Sequence, residues 1–309
     1  MFKHKTVTFY LYILIHILGI TALFFVHFSW KYVALFGIDY FFGMFFITAG
    51  YHRYFSHRSY KLARIPQFIM AWMTMASGQK GILWWAANHR DHHIHSDEEE
   101  DLHSPVMKGF WYSHMGWIFD PATQGYNPKK IADFGKFPEL RFLDKHHWIP
   151  TAFFAVLIFV VGGLIGVSHH VVGVTASQAF FSSGSSAFVW GYLFTIMCLY
   201  QASYTINSLA HVYGSRRFET TDHSRNNPIL AIITLGEGWH NNHHHCKSSC
   251  RQGYKWYEID MTFYLLTVLS WVGFVKDIRP FRAENTKGIV VEAADSKQKV
   301  ESPVLAEVV

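Results

Sequence analysis

Charge is missing from a large central part of this 309-residue chain: residues 146–215 contain no Asp, Glu, Lys or Arg. A water-soluble domain rarely leaves so long a stretch uncharged, whereas two membrane spans and a short loop do so naturally. Cysteine is also scarce, and three cysteines make no disulfide framework. The chain has no glycine-rich phosphate loop, arginine-rich helix or aromatic RNA-binding motif, so nucleic acid is not an expected partner.

Four apolar stretches are long enough to cross a bilayer, which takes roughly 20 helical residues. Asp39 in the second stretch is the single charged residue among them. The first stretch is longer than the apolar core of a signal peptide and has no small-residue cleavage site. The sequence therefore predicts an all-α integral membrane protein with four transmembrane helices, at about residues 6–28, 32–51, 149–167 and 187–210.

Basic residues lie almost entirely on one side of this topology. The N-terminus, the 52–148 loop and the C-terminal third share a side that carries every Lys and Arg except Lys31. Because such residues concentrate on the cytoplasmic side, both termini and the large loop are predicted to be cytoplasmic. Residues 1–283 are expected to form one membrane domain. Residues 284–309, rich in Glu, Lys, Ala and Val, are predicted to be disordered.

Histidines occur in dense groups just beyond the apolar segments. Two groups, at 89–93 and 240–244, place three histidines at i, i+3 and i+4, near one face of a helix. A pair five residues apart suits a helix end. An Asn and a His four apart lie at the inner end of the fourth span and are expected to share one face of that helix. One such group is more often a polar helix face, but several on one predicted side indicate metal binding. The residues are His52, His57, His89, His92, His93, Asn207, His211, His240, His243 and His244.

Nine imidazoles exceed the coordination of one ion, so the sequence predicts two metal ions. Imidazole binds iron, copper and zinc alike, and the residue type leaves the metal open. A histidine cluster beside four membrane spans fits chemistry on a lipid-soluble substrate. The alternative of a non-catalytic metal-binding or transport protein is less favoured, because a transporter would place ionisable ligands at mid-membrane.

The boxes HRYFSH (52–57), HRDHH (89–93) and HNNHH (240–244) resemble those of the membrane fatty acyl desaturases, particularly the Δ9 acyl-CoA (stearoyl-CoA type) group in a compact, bacterial-like form. The resemblance includes NSLAHVYGSR (207–216) and extends in order from about residue 32 to 282. It implies a cytosolic helical cap with a di-iron centre bound by the nine histidines, one iron also approached by Asn207 through a water. It also implies that O2 and two electrons are used to introduce a cis double bond into a saturated acyl chain. Zinc is expected to compete for the same imidazoles in purified protein.

An acyl chain would lie in an apolar tunnel beside the metals. By the same resemblance, the second span would close the tunnel end. Aromatic residues near the boxes are candidate substrate contacts, with simple packing as the alternative. The candidates are Tyr40, Phe41, Met44, Gln79, Trp84, Trp85 and Trp239.

Two departures from the vertebrate relatives affect the acyl carrier. Basic residues that help to hold coenzyme A there are replaced here by Ala87 and by Asp120 after the Gly-Trp-Ile segment at 116–118. The carrier is therefore left open between coenzyme A, acyl-carrier protein and intact membrane lipid. The chain lacks the His-Pro-Gly-Gly of a fused cytochrome b5, so a separate electron donor of cytochrome b5, ferredoxin or rubredoxin type, with its reductase, is expected.

The compact length suggests a multi-pass protein of a bacterial inner membrane, with the endoplasmic reticulum as the alternative. A lipid hydroxylase or ketolase of the same fold is the alternative function. The ligand set alone does not separate these enzymes from desaturases, because the outcome depends on the geometry of the tunnel.

Overall fold

The fold is helical throughout the described part of the chain. The computed structural model describes residues 7–169 and 172–281, and within these ranges it contains no β-sheet, which confirms the predicted all-α class. The tail at 284–309, predicted to be disordered, lies outside the described residues. The helices are α1 (Val7–Ala22), α2 (Trp30–Phe46), α3 (Arg64–Met75), α4 (Ile82–His95), α5 (Pro105–Lys108), α6 (Trp117–Phe119), α7 (Ala132–Gly135), α8 (Pro138–Lys145), α9 (Trp148–Ser168), α10 (Ala176–Ala187), α11 (Thr195–Asn207), α12 (Pro228–Ile233), α13 (His240–His245) and α14 (Met261–Trp271).

Turns with other helical geometries extend several of these helices. A π-helix at Ile47–Ser56 continues α2, and another at Phe188–Phe194 joins α10 to α11. A third π-helical turn, Tyr112–Gly116, leads into α6. Short 3-10 turns occur at Pro121–Thr123, Pro128–Ile131 and Leu209–His211. Because π-helical turns are rare and concentrate at functional sites, the turn that contains the first histidine box is informative.

Two helices in the described ranges are long and apolar enough to cross a membrane, Trp30–Ser56 and Trp148–Ser168. They correspond to the second and third predicted spans. The first predicted span is represented by α1, whose 16 residues end at Ala22, and the fourth lies within the continuous helix formed by α10, the π-helix and α11. That helix carries the polar sequence SSGSS at 182–186, which lowers its hydropathy. The four-span topology stays a prediction.

Large apolar side chains cover the outward faces of α1 and α9. Leu18 on α1 and Val156 and Leu164 on α9 are among those more than half exposed. Contiguous exposed apolar surface is unusual in a soluble monomer and marks contact with lipid or protein. These faces are those that a bilayer would cover.

The core that supports the histidines lies at one end of the long helices. The π-helix at 47–56 is buried at every residue and packs against α3 and α4. Tyr51, Phe55, Leu83 and Leu140 are among the fully buried side chains of this core. The first and second histidine boxes are therefore attached to one rigid unit.

Candidate metal centre

The first histidine box lies at the end of the π-helix. The backbone N–H of His57 donates to the carbonyl of His52 at 3.1 Å, a bond across five residues. In a π-helix, residues five apart share a face, so the two imidazoles point the same way. His57 is the residue that follows the last residue of this helix, so the spacing does belong to a helix end, and the helix that ends there is a π-helix.

The second box lies on α4, which presents His89, His92 and His93 toward the first box. Arg90, within the box, faces away from the cluster and bonds the carbonyls of Phe55 at 2.7 Å and Ser56 at 2.9 Å. The arginine therefore ties α4 to the end of the π-helix and sets the distance between the two boxes.

The third box forms α13, a helix of six residues that is too short to be stable alone. Its two asparagines are fully buried and hold it in place. The Asn241 side-chain oxygen accepts from the backbone N–H groups of Arg217 and Phe218, both at 2.8 Å. Asn242 donates to the Gln252 carbonyl at 2.9 Å. The asparagines thus orient the histidines without pointing at them.

Asn207 and His211 occupy different helical segments. Helix α11 ends at Asn207, and His211 lies in the 3-10 turn that follows Ser208. The expectation that both share one face of a continuous helix is therefore wrong, because the chain breaks between them. His211 turns into the histidine cluster, and Asn207 faces the adjoining cavity.

The nine predicted histidines come together in two groups. In each group, one ring nitrogen from every member lies within 4.8 Å of the corresponding nitrogens of the others. His92 and His93 are adjacent in sequence but belong to different groups, so α4 contributes histidines to both. The five-histidine group is His52, His57, His89, His93 and His243, and the four-histidine group is His92, His211, His240 and His244.

The ring nitrogens are spaced as ligands of a metal ion. In the five-histidine group, the Nε2 atom of His243 lies 3.1 Å from that of His52 and 3.0 Å from that of His93. The Nε2 atom of His89 lies 3.0 Å from those of His57 and His93. Bonds of ~2.1 Å at right angles separate two ligand nitrogens by ~3.0 Å, so this spacing fits one central ion.

The electrostatics favour neutral imidazoles, whose lone pairs are free to bind metal. Burial, reinforced by neighbouring histidines, holds the pKa values of most cluster members well below the usual range. The pKa of His244 falls to about 4, because burial outweighs the opposing effect of Asp222. Since a protonated imidazole cannot bind a metal, these shifts favour a metal-competent cluster at neutral pH. The members with strongly lowered pKa values are His57, His89, His93, His240 and His243.

Four buried carboxylates hold the outer nitrogens of the cluster, and the sequence reasoning gave none of them a role. The Nδ1 atom of His211 lies 3.0 Å from Asp97, and that of His92 lies 2.9 Å from Asp101. His52 pairs with Glu237 and His244 with Asp222, both at 2.5 Å. Such contacts fix the ring orientation and tautomer of metal-binding histidines. Asp97 and Asp101 were visible within SDEEED (96–101), but Asp222 lies in no recognisable motif.

The carboxylates are distributed unevenly between the two groups. Glu237, in contact with the five-histidine group, also pairs with the buried Arg53 at 3.0 Å. Asp97, Asp101 and Asp222 contact the four-histidine group, and their ion pairs within the described residues are with histidines. The surroundings of the four-histidine group are therefore the more negative.

His103 is a further buried histidine beside the cluster. Its ring stacks on His92 with centroids 4.2 Å apart, and it belongs to a compact set with His92 and Asp101. Burial lowers its pKa to about 3. It also lines the cavity described next, so it connects the four-histidine group to the space where a substrate would lie.

A cavity of about 350 Å³, the main cavity, adjoins the histidine cluster. His89 and Asn207 form part of its wall, together with three of the predicted substrate contacts. Trp85 stacks on His89 with centroids 4.8 Å apart, and Gln79 donates to the Ser203 hydroxyl at 2.8 Å. Trp84 stacks on Trp117. Gln79, Trp84 and Trp85 therefore line the main cavity, and their contact with a substrate stays a prediction.

The other candidate contacts lie away from the main cavity wall. Tyr40 donates to the Ile233 carbonyl at 2.8 Å, and Trp239 donates to the Ile259 carbonyl at 2.8 Å. Met44 is buried in the core, and the Phe41 ring packs against Phe42. The face of α2 that borders a cavity is instead the one with Asp39, Phe42, Gly43 and Phe46, at a second, smaller cavity.

Known proteins resemble this chain over most of its length. Residues 28–267 match the family model described as fatty acid desaturase. A probable chloroplastic lipid desaturase of Arabidopsis thaliana is 33% identical over 267 residues, which cover 85% of this chain and 67% of that protein. A delta-9 acyl-lipid desaturase of the same plant is 31% identical over 278 residues, covering 90% and 84%. A probable acyl-CoA desaturase of Schizosaccharomyces pombe is 35% identical over 260 residues, covering 82% and 50%.

The three histidine boxes and most of the residues that line the main cavity lie within the matched range 28–267, and only the α1 part of the lining precedes it. The match is thus to the part that would carry the chemistry. The chain belongs to the fatty acid desaturase family.

Proposed function

We propose that this protein introduces a cis double bond into a saturated acyl chain, at the Δ9 position, using O2 and two electrons at a two-iron centre. The observation that carries the proposal is the apolar main cavity whose wall contains His89 of the five-histidine group. A buried space for a long apolar substrate thus adjoins a site able to bind metal. The named relatives act on acyl lipids or acyl-CoA, in line with this substrate class.

The reaction sets strict demands on the protein. No side-chain acid or base can deprotonate an unactivated methylene at neutral pH, so an oxidant is needed. Iron, which the family uses, supplies that oxidising power when bound with O2. The residues of the protein hold the substrate and keep water away from the metal site.

The residues beside the histidines are arranged to position one methylene. Trp85 is fixed by its stack on His89, and the Gln79 side chain is fixed by Ser203 on α11. Trp85 and Gln79 therefore present rigid surfaces to the acyl chain of the substrate at the point nearest the metals. A substrate held within a fraction of an ångström is what a regiospecific oxidation requires.

Three acyl carriers fit this function: coenzyme A, acyl-carrier protein and a membrane lipid. Ala87 is buried in the core, so an arginine at that position would have to be accommodated inside the protein. Asp120 accepts hydrogen bonds from the Tyr112 hydroxyl at 2.7 Å and the Ala122 N–H at 2.9 Å. That carboxylate caps a turn. Ala87 and Asp120, which replace the basic residues of the vertebrate relatives, therefore each have a structural role in this protein: Ala87 packs in the core, and Asp120 caps a turn.

We propose that four spans anchor the protein, with the histidine boxes on the cytoplasmic side of a bacterial inner membrane. The charge asymmetry of the sequence supports this orientation. Reporter fusions at both termini test it, since activity of a periplasmic reporter at either terminus would contradict it.

Two metal ions per chain are expected in the active protein. Metal analysis should find about two ions in wild type and about one in each of His57→Ala and His240→Ala, which remove a member of different groups. His146→Ala is the matched control, because His146 belongs to neither group, and it should retain two ions. An active wild-type preparation with a single ion would contradict the proposal.

Lipid analysis of an expressing host tests the function. Cells that carry the protein should accumulate cis-monounsaturated acyl chains that control cells lack. The purified chain with O2, a reduced electron donor and its reductase should give the same product, whereas O2 and NAD(P)H alone should give none. Acyl-CoA, acyl-carrier-protein and acyl-lipid substrates, each supplied alone in this reaction, distinguish the three carriers.

Two results would overturn the assignment. Hydroxy acids in place of monoenes would indicate a hydroxylase of the same fold. Metal binding without any change in host lipids, in cells that supply the electron donor, would indicate a non-catalytic role.

A further inference from the structure

The main cavity is followed, along the same helices, by a second cavity of about 100 Å³. On α9, Thr151 borders the main cavity, and Phe154 and Ile158 border the second. On α11, Ser203 borders the main cavity and Ile196 the second. The two helices run in opposite directions along the cavities: the residues that border the second cavity come later in sequence than Thr151 on α9 and earlier than Ser203 on α11. The second cavity therefore lies one to two turns farther from the histidines.

Tyr200 lies between the two cavities. Its hydroxyl donates to the Gly78 carbonyl at 2.9 Å, which closes the space between α11 and the end of α3. Gly78 has φ +70°, and a methyl group there would lie 2.6 Å from the Tyr200 hydroxyl oxygen, so the contact is close. The Tyr200 ring is parallel to Tyr204 with centroids 5.8 Å apart, and Tyr12 lies on another side at 6.0 Å. The ring is thus held in place.

The position of Tyr200 suits the end of a substrate tunnel. Tyr200 precedes Asn207 by seven residues on α11, so it lies ~10 Å along the helix from the metal end of the main cavity. The carboxyl end of an acyl chain must reach the carrier, and under the proposed function the part beyond the metals would extend toward Tyr200. The distance from the metals to this ring limits how many carbons can follow the reacting methylene.

We propose that Tyr200 determines the chain length of the substrate by closing the inner end of the main cavity. The inference rests on the proposed desaturase function. It assigns to α11 a role that the sequence had placed on the second span at Tyr40, Phe41 and Met44. The second cavity is bordered by Phe42, Phe46 and Met73, with Asp39 on the α2 side, so it offers mainly apolar walls to a longer chain once the ring is removed.

Competition between saturated fatty acids of increasing length, fed to an expressing host, tests the proposal. Tyr200→Ala should raise the ratio of longest to shortest unsaturated product by about tenfold or more, the scale on which extra methylenes are discriminated in apolar pockets. Double-bond position, counted from the carboxyl end, should stay unchanged because Gln79 and Trp85 are untouched. Tyr200→Trp should shift the ratio in the opposite direction.

Two matched variants separate a stop from a general loosening. Tyr200→Phe keeps the ring and loses the bond to Gly78, so its length profile should match wild type. Leu199→Ala enlarges the second cavity behind the intact ring and should also leave the profile unchanged. Should Tyr200→Ala fail to accumulate, Tyr200→Leu opens the same space with a larger apolar side chain and should shift the ratio in the same direction.

The outcomes distinguish this inference from the function on which it rests. If the wild-type protein yields no unsaturated product from a fatty acid of any length, the proposed function is refuted. An active wild type with the same length profile in Tyr200→Ala and Tyr200→Leu refutes the role of Tyr200 alone. A shift in Leu199→Ala as large as that in Tyr200→Ala would show that the cavities already communicate, and would also refute it.

Discussion

Replacement of His211 by alanine is expected to abolish desaturation and to release the metal of the four-histidine group, while the protein still inserts into the membrane. His211 is buried, and its Nε2 atom lies 3.1 Å from that of His240. Its Nδ1 atom is held by Asp97 at 3.0 Å. The side chain is thus oriented as a ligand, and a methyl group cannot replace its lone pair. Metal analysis and product analysis of the same preparation measure both effects.

Asn207→Ala should behave differently, because Asn207 faces the main cavity and lies outside both histidine groups. Acting on the metal through a water, it should cost ~10–100-fold in activity while most of the metal is retained. His114→Ala is the control for His211. His114 is also buried, bonds to Ser208 and Gln201, and should keep the full metal content when replaced. Near wild-type activity and full metal content in both His211→Ala and Asn207→Ala would refute the assignment on this segment.

Replacement of Arg53 by methionine is expected to destabilise the protein by about 3–5 kcal/mol, the usual cost of removing one partner from a buried ion pair. Arg53 is 1% exposed and pairs with Glu237 at 3.0 Å and with Asp260 at 2.9 Å. The substitution leaves two buried carboxylates without their cation. Because Glu237 also holds His52, metal content should fall as well. Thermal unfolding in detergent, with metal analysis before heating, measures these losses.

Arg64→Met supplies the matched control for that experiment. Arg64 forms a bidentate pair with Glu139, but its side chain is 65% exposed. Exposed ion pairs contribute ~0–1 kcal/mol, so this variant should unfold close to wild type. Equal destabilisation of Arg53→Met and Arg64→Met would show that the buried ion pairs of Arg53 with Glu237 and Asp260 contribute no more stability than an exposed pair.

Much of the candidate site was predictable from local spacing. Residues at i, i+3 and i+4 share one face of any α-helix, so α4 and α13 had to present their histidines together once they formed. The uncharged stretch at 146–215 likewise predicted a long apolar helix, and α9 is long and apolar enough to cross a membrane. These features depend on the helical repeat and on composition, both of which are properties of short segments.

The supporting residues were not predictable, because nothing local marks them. In sequence, nothing distinguishes Asp222 from an ordinary surface-loop aspartate, yet it is buried against His244. Glu237 was visible beside the third box, but its bond to His52 joins residues far apart in the chain. A carboxylate acquires such a role only when folding removes it from water and brings a histidine to it.

By itself, the sequence determined the residue types of the cluster, their helical faces, the two long apolar helices at the second and third predicted spans, and the family. Only the tertiary structure decided which histidine joins which group. His93 meets His243 across 150 positions, while its neighbour His92 turns to the other group. It also decided that a π-helical turn aligns His52 with His57, and that the Tyr200 hydroxyl bonds to the Gly78 carbonyl beside the main cavity. The physical reason is range: helical periodicity acts over a few residues, whereas burial and contact between distant segments exist only after the helices have packed.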